Sequence, residues 1–470
     1  MMFPTTNKAI KVALVVPPPQ RADLSWCPNM PMTLACLAAF LEKGGHEVTV
    51  IDCPALGMNH EKFRTKIEEL APDAVGITTL TPMIQSALMA AHAAKEANPE
   101  TPIILGGPHA TFMDQQILTQ NPDVDIIVRG EGEQTLLELA NTIKTNNKHL
   151  HKIKGITYKK NGQITRTPNR PLIQNLDELP RPAYQHLPLK KYQLNGRVNL
   201  PVLTSRGCPF QCSFCVSAQM AGDTFRMRSI KNIVDELEWL KCTHGADSVT
   251  FYDDAFTYDI ERTLKICEEM KKRKIGLPWD CQSRVDNVSE TSLAKMREAN
   301  CEVIYFGVES GSQKILDFIG KRTTVEQNER AIRWTKKAGI FCITSHVIGY
   351  PGETEETLQQ TINLIRRMDP DDAYLCVATP YPGTALYRFI EKNGWEISHD
   401  WSKYDTTTPV FANPTISNDK IVEMRKKFVD DFYSPSYILR HMIKGSFYDR
   451  LIARIALSHV VWRARAMTRL

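Results

Sequence analysis

The stretch LPVLTSRGCPFQCSFC (200–215) places Cys208, Cys212 and Cys215 in the spacing C-x3-C-x2-C, directly behind an apolar run. Residues 200–204 read as a strand, and the cysteines fall in the loop that follows it. Iron–sulfur clusters take thiolates, and a four-iron cluster normally takes four. Three neighbouring thiols hold three irons and leave the fourth open, much as a catalytic zinc site keeps one position open. Pro209, Phe210 and Phe214 are the residues that would shield such a cluster from water. Other readings stand beside this one. Structural zinc needs a fourth ligand close by, and the next cysteine is Cys242, in a helical segment. A bacterial ferredoxin run has a different spacing, and three inert cysteines are the plain alternative.

Towards the C-terminus the strand at 201–205 is followed by five more candidates, at 248–253, 278–284, 303–310, 342–349 and 373–380. Amphipathic helical patterns separate them, at 229–241, 260–273, 289–298, 325–338 and 355–368. The alternation predicts a partial (βα)6 barrel over 196–400. Active residues of barrels lie at the C-terminal ends of the strands. Asp253, Asp254, Arg284, Glu309, Ser310, His346 and Tyr381 fall there.

Towards the N-terminus, residues 9–16 form a continuous apolar run closed by Pro17–Pro19, which suits a strand buried on both faces. Strands and helices then alternate to residue 145, implying a doubly wound parallel sheet over 5–150. Ligands on such sheets sit beyond the carboxyl ends of the strands. Thr78, Thr79, Gly106, Gly107, His109, Gly130 and Glu131 lie there, and the glycines let backbone approach a flat ligand closely. The plainer reading is that these are ordinary βα turns. Residues 151–195 read as a connecting segment: a hairpin around Asn161–Gly162, then a Pro-rich stretch. Residues 401–470 read as helical, interrupted at Pro435. The last of them, 446–470, are apolar and Arg-rich, which suits either packing on the protein itself or peripheral contact with an anionic membrane.

Composition narrows the classes. With 470 residues the chain suits two or three domains. Hydrophobic content of 42%, charged content of 24% and a net charge of +5 are ordinary for a globular protein and give nucleic-acid binding no support. The 12 cysteines are too dispersed for a disulfide framework. A reducing cytoplasm is expected, with most cysteines outside the cluster loop buried as free thiols.

The cysteine motif, with FGVESGS (306–312), VIGYPGET (347–354) and YPGTALY (381–387), resembles the radical-SAM superfamily over roughly 195–400. The segments PPMTLACLAAFLEKGGHEVTVIDC, GITTLTP, ILGGPHAT and IVRGEGEQTLLEL resemble the cobalamin-binding domain that precedes many radical-SAM domains. The resemblance implies three cofactors: a 4Fe–4S cluster on Cys208, Cys212 and Cys215, S-adenosylmethionine (SAM) on its open iron, and cobalamin. For SAM it implies Glu309, with Ser310 beside it, at the ribose, and Ile348 and Gly349 at the adenine. Asp253 and Asp254 lie in the segment that meets the methionine amino group. Arg284 reads either as a SAM ligand or as a barrel-mouth salt bridge; for His346, at another strand end, the salt bridge is likewise the plain reading. For cobalamin it implies Thr78, Thr79, Gly106, Gly107, Gly130 and Glu131. His109 reads either as a contact or as a turn histidine bonded to backbone. The family's D-x-H-x-x-G signature is absent, and residues 17–26 hold no histidine. A degenerate, empty domain is the competing reading.

The expected activity is cobalamin-dependent methylation of an unactivated carbon. Oxidative cyclisation, as in the anaerobic magnesium-protoporphyrin monomethyl ester cyclase group, is the alternative, and a cobalamin or redox sensor the non-enzymatic one. The partners implied are a small-molecule or lipid substrate and an external electron donor such as flavodoxin or ferredoxin.

Overall fold

The computed structural model describes residues 9–19, 30–143, 149–194 and 196–467. The chain separates into two compact units. The first comprises 1–254 with the returning segments 380–389 and 398–405; the second comprises the remainder. The loop in which no histidine was found lies largely at 20–29, outside the described residues, as do residues 468–470 of the tail.

In the first unit, β1 (Lys11–Val16), β2 (Glu47–Asp52), β3 (Ala74–Thr78), β4 (Ile103–Gly106) and β5 (Ile126–Val128) form a parallel sheet in the order β2-β1-β3-β4-β5. Val12 to Val15 of β1 are buried throughout, as expected of a central strand covered on both faces. The hairpin β6 (Ile156–Lys160) and β7 (Gln163–Arg166) turns at Asn161–Gly162, both at positive φ. Read from sequence as part of the connecting segment, it instead joins this sheet, with β6 antiparallel to β5. Its inner residues Ile156, Thr157 and Tyr158 are buried while β7 is largely exposed. The hairpin thus covers the short apolar edge of β5.

Further along the same unit, β8 (Gln193–Leu194) pairs antiparallel with β9 (Arg197–Val202). The short strands β10 (Ser205–Arg206) and β11 (Arg226–Met227) form an antiparallel ribbon on either side of the cysteine loop. β12 (Ser248–Phe251) lies parallel to β9, with Leu200 beside Val249 and Val202 beside Phe251.

In the second unit, β13 (Trp279–Arg284), β14 (Cys301–Glu309), β15 (Phe341–Ile348) and β16 (Asp372–Val377) run parallel in that order. With β9 and β12 they make the six strands of the (βα)6 succession, and the helices fall where periodicity put them: 230–244, 260–272, 290–298, 325–337 and 355–368. Ser289, Thr324 and Thr354 each open a helix with a capping box, in which two backbone donors are satisfied reciprocally.

Helices Asn418–Phe432, Pro435–Lys444 and Phe447–Met467 complete the chain. Pro435 does not interrupt a helix; it opens one, behind the capping Ser434, where a missing N–H costs nothing. Among the described residues no helix is long and apolar enough to cross a membrane. Of the described cysteines outside the cluster loop, Cys53, Cys267, Cys281, Cys301 and Cys342 are buried, Cys36 and Cys376 are half-buried, and Cys242 is exposed.

Candidate functional site

The cysteine loop is fixed at both ends within the first unit. Gly207 precedes Cys208 at φ +91, where a Cβ would come within 2.3 Å of the Thr224 carbonyl oxygen; only glycine fits. The Cys208 N–H donates to Gly222, the Cys215 N–H to Cys212, and the Leu386 N–H to Ser213. That last bond ties YPGTALY to the loop, and Gly383 of the same turn lies against Phe112, with no room for a side chain. The three thiols are half-buried. Burial pushes the Cys208 thiol up to about 11, so an apo loop would hold thiols, not thiolates, and a bound cation would favour deprotonation. Among the described residues no three His, Cys, Asp or Glu side chains converge as they would on a single ion; thiols that each serve a different iron need no such convergence. The donor set therefore suits a cluster.

Asp253 and Asp254 follow β12 and have different fates. Asp253 is fully buried and accepts from the Thr204 N–H at 2.7 Å, the Ser205 hydroxyl at 2.6 Å and the Thr204 hydroxyl. Its carboxylate ties β12 to the entry of the cysteine loop, so any contact of this residue with SAM falls to its backbone, as the resemblance implies for this segment. Asp254 instead lines a cavity and accepts from the Ser217 hydroxyl at 2.9 Å. Burial raises its carboxyl above the usual range.

That cavity, of about 440 Å³, lies wholly within the first unit. One wall comes from the carboxyl ends of the sheet: Thr78, Gly106, Gly107, Gly130 and Glu131. The other comes from residues flanking the cysteine loop, among them Ser205, Arg206, Met220 and Tyr252. Gly107 holds φ +100, and a Cβ there would lie 2.7 Å from the Thr79 carbonyl oxygen; Gly130 holds φ +72 with open space before it. Gly107 thus serves the close packing of its own loop on Thr79, whereas a side chain at Gly130 would enter open space on a wall that suits a broad, flat cofactor such as cobalamin.

Thr79 and His109 stand apart from this wall, whereas Glu131 lines it as expected. Thr79 does not line the cavity. Its hydroxyl donates to the Gly106 carbonyl at 2.8 Å and accepts from the Ala110 N–H at 3.1 Å, bracing adjacent loops. His109 is also buried behind the wall, 3.2 Å from the Thr81 hydroxyl and edge-on to Trp401, so its partner is a side chain rather than backbone. Burial holds its imidazole down to about 4. Glu131 lines the cavity, yet both its oxygens are engaged. Oε1 meets Arg226 at 2.9 Å and Arg206 at 3.2 Å, and Oε2 accepts from the Ile173 N–H at 2.7 Å. Arg206 also pairs with Glu133 at 2.5 Å. Sequence reasoning passed over Arg206, although it is the only charged residue of 200–215.

In the second unit the strand ends carry a linked set of charges. Glu309 sits at φ +67, beside a register shift between β14 and β15. Such a backbone costs a non-glycine residue free energy and points to a functional constraint. Its Oε1 pairs with Lys321 at 2.7 Å, both side chains being buried. Arg284 holds both oxygens of Asp286 at 2.9 Å and donates to the Lys321 carbonyl at 2.6 Å. Of the two readings of Arg284, the structure realises the salt bridge. Ser310 is buried, bonded to Ser312 N–H and within 3.2 Å of the Thr361 hydroxyl. His346 is bonded to a hydroxyl rather than to an acid. It is fully buried, 3.0 Å from the Thr344 hydroxyl, and burial holds it down to about 3. Lys321 carried no motif and was missed.

The turn after β15 is built on Gly349, at φ +85. Its N–H and that of Tyr350 both donate to Glu353 Oε2, and the Asn413 amide donates to the carbonyls of Gly349 and Tyr350. The Ile348 carbonyl accepts from Ala378, and the Ile348 side chain belongs to the apolar core. An adenine here would therefore meet packed surface rather than a vacant backbone donor at Gly349. Glu353 is buried, with Oε1 lacking a hydrogen-bond partner, and burial pushes its carboxyl up to about 7.

Comparison with known proteins follows the same division of the chain. The Radical SAM superfamily model matches residues 202–365, and the B12 binding domain model matches residues 29–140. An uncharacterized methyltransferase of Pyrococcus horikoshii is 35% identical over 440 residues, 93% of this chain and 95% of that one. The anaerobic magnesium-protoporphyrin IX monomethyl ester cyclase of Rubrivivax gelatinosus is 34% identical, over 84% of this chain and 72% of its own. Among solved structures, the radical S-adenosylmethionine methyltransferase TsrM of Kitasatospora setae, with cobalamin and a [4Fe-4S] cluster bound, superposes with a TM-score of 0.75. That match covers 97% of this chain and 100% of the other at 17% identity, a likeness of fold.

Proposed function

This chain belongs to the radical-SAM enzymes that carry a B12-binding domain, with a 4Fe–4S cluster, SAM and cobalamin as cofactors, and from that premise we propose that it methylates an unactivated carbon of a small molecule. The observation that carries this reading is the cavity of the first unit. The strand-end loops of the sheet and the residues flanking the cysteine loop wall the same space. When bound, the cluster supplies the electron that cleaves SAM and cobalamin supplies the methyl group.

The chain's own residues then have definite tasks. Cys208, Cys212 and Cys215 hold the cluster by three of its irons. Gly106 and Gly130 leave room for the corrin. Arg206, fixed by Glu131 and Glu133, holds the entry of the cysteine loop against the sheet's loops. In the second unit the Glu309 side chain is the acceptor for the ribose hydroxyls of SAM, and Lys321, 2.7 Å away, holds it in place. The apolar cavity lining, with Leu80, Leu136, Leu203 and Met220, suits a substrate with a hydrocarbon surface. Electrons come from an external one-electron donor, and a reducing cytoplasmic setting agrees with described cysteines that are all free.

The cyclase relative favours a second reading, oxidative ring closure, and product mass separates the two. Full-length protein reconstituted anaerobically with iron, sulfide, SAM and cobalamin is incubated with cell extract under reduction. Methylation predicts deoxyadenosine release and a product heavier by one CH2. Release of deoxyadenosine with loss of hydrogen and no added carbon would replace methylation by cyclisation. The triple variant Cys208→Ser/Cys212→Ser/Cys215→Ser is expected to lose both its dark absorbance and SAM cleavage; a variant that keeps them would overturn the cluster assignment.

A further inference from the structure

The loops that wall the cavity of the first unit turn one set of side chains into it and bury another set behind it. Thr78, Leu80 and Pro108 line the cavity. Thr79, Thr81 and His109 are buried and do not. What lies behind them comes from far along the chain. Residues 398–405 return to this unit, and there Trp401, 8% exposed, opens the short helical turn Trp401–Lys403. Its ring stands edge-on to that of His109, with centroids 5.1 Å apart.

Trp401 is itself held. Asp400 caps the turn and accepts from the Ser402 N–H at 3.2 Å. Tyr404 packs on the indole at 4.8 Å, and its hydroxyl donates to the Ser398 carbonyl at 2.8 Å. Tyr381 donates to the Tyr404 carbonyl at 3.0 Å. From His109 the bonds run forward to the wall. Its Nδ1 lies 3.2 Å from the Thr81 hydroxyl, and its backbone N–H donates to the Thr79 carbonyl at 3.3 Å. Thr79 in turn holds Gly106 and Ala110, and the Thr111 hydroxyl accepts from the Gly130 N–H at 3.1 Å. The stretches 78–81 and 106–111 therefore form one bonded frame that reaches Gly130, with Trp401 at its back.

Trp401 and His109 line no part of the cavity, so any influence on a ligand there acts through geometry. Loops fixed before a ligand arrives spare it the entropy of ordering them. An edge-on ring pair has a preferred arrangement, and it sets where His109, and with it the two bonded loops, can lie. We propose that Trp401, acting through His109, is a positioning residue for cobalamin: it presets the loops 78–81 and 106–111 in the arrangement that the cofactor meets. The proposal rests on the reading that cobalamin occupies this cavity.

Full-length protein reconstituted with iron and sulfide is dialysed to equilibrium against hydroxocobalamin. Trp401→Leu and His109→Leu are each expected to bind it about tenfold more weakly. Because both act through one contact, the double variant should be within about twofold of either single one. Trp401→Phe keeps a ring edge facing His109 and should recover most of the affinity. His399→Ala, at an exposed position of the same segment, should bind as the wild type does. Circular dichroism melting establishes that each variant is folded at the dialysis temperature; if one leucine variant is not, the other and Trp401→Phe carry the test. Wild-type affinity in a folded leucine variant, or losses that simply add in the double variant, overturns the proposal. Failure of the wild type itself to bind hydroxocobalamin would overturn the placing of the cofactor in this cavity instead.

Discussion

The two units place candidate ligand-binding residues at the same kind of position, the carboxyl ends of parallel strands, but prepare them by opposite means. In the first unit the wall is made by omission. Gly106 and Gly130 leave space, and the nearby carboxylates Glu131 and Glu133 are engaged by Arg206 and Arg226. In the second unit the strand ends keep buried charge in direct contact: Glu309 with Lys321, and Arg284 with Asp286. A wall shaped by absent side chains should fail when volume is added. A strand end shaped by paired charge should fail when one partner is removed. The two are therefore separable by the kind of substitution each tolerates.

The largest effect is expected at Lys321. Lys321→Met leaves the Glu309 carboxylate buried without its cation, which should destabilise the protein by about 3–5 kcal/mol. Adding Glu309→Gln should restore most of that, because a neutral pair needs no cation. Urea unfolding of the two single variants and the double variant measures the coupling. A cost under about 1 kcal/mol for Lys321→Met would mean that the pair is effectively solvated, and the contrast between the units would disappear.

Glu353 sharpens the contrast, since its buried carboxylate accepts only backbone N–H donors. Its folded value of about 7 lies above the ordinary 4.5 because burial disfavours the charged form. The folded state thus holds this proton to higher pH than the unfolded state. The contribution of Glu353 to stability falls as pH rises from about 4.5 to about 7 and is level above that. Glu353→Gln, which can still accept both N–H bonds, lacks this fall. The stability of the variant relative to wild type should rise by about 3 kcal/mol between pH 4 and pH 8. A difference independent of pH would show that the Glu353 carboxyl titrates alike in the folded and unfolded states.

Much of the fold was legible because its signals are local. The run VALVV of β1 reads as a strand covered on both faces, and Ser289, Thr324 and Thr354 mark helix starts by side chains that bond their own backbone. The cysteine spacing is likewise local. What escaped is tertiary. Neighbouring residues leave a strand in opposite directions, so sequence could not say which of Asp253 and Asp254 is structural and which faces the cavity. Lys321 lies in a short connection twelve residues beyond Glu309, and nothing between them announces the pair. The environment of His109 depends on Trp401, far along the chain. The hairpin β6–β7 was visible as a hairpin, but its pairing partner β5 is a property of the sheet edge.

The smallest effect tests the first unit, by adding one methyl group at each of two glycines. Gly107→Ala puts a Cβ 2.7 Å from the Thr79 carbonyl oxygen at φ +100, so the loop braced by Thr79 must shift, at about 2 kcal/mol. Gly130→Ala meets nothing within 4 Å and carries only the left-handed backbone cost, about 1 kcal/mol. Cobalamin affinity should follow a different order. The Gly130 methyl stands in open space on the cavity wall and should weaken binding about tenfold, some 1.4 kcal/mol, in equilibrium dialysis against hydroxocobalamin. If Gly130→Ala binds cobalamin as tightly as wild type while Gly107→Ala only loses stability, the glycines serve the turns alone. The first unit would then have no wall shaped by omission.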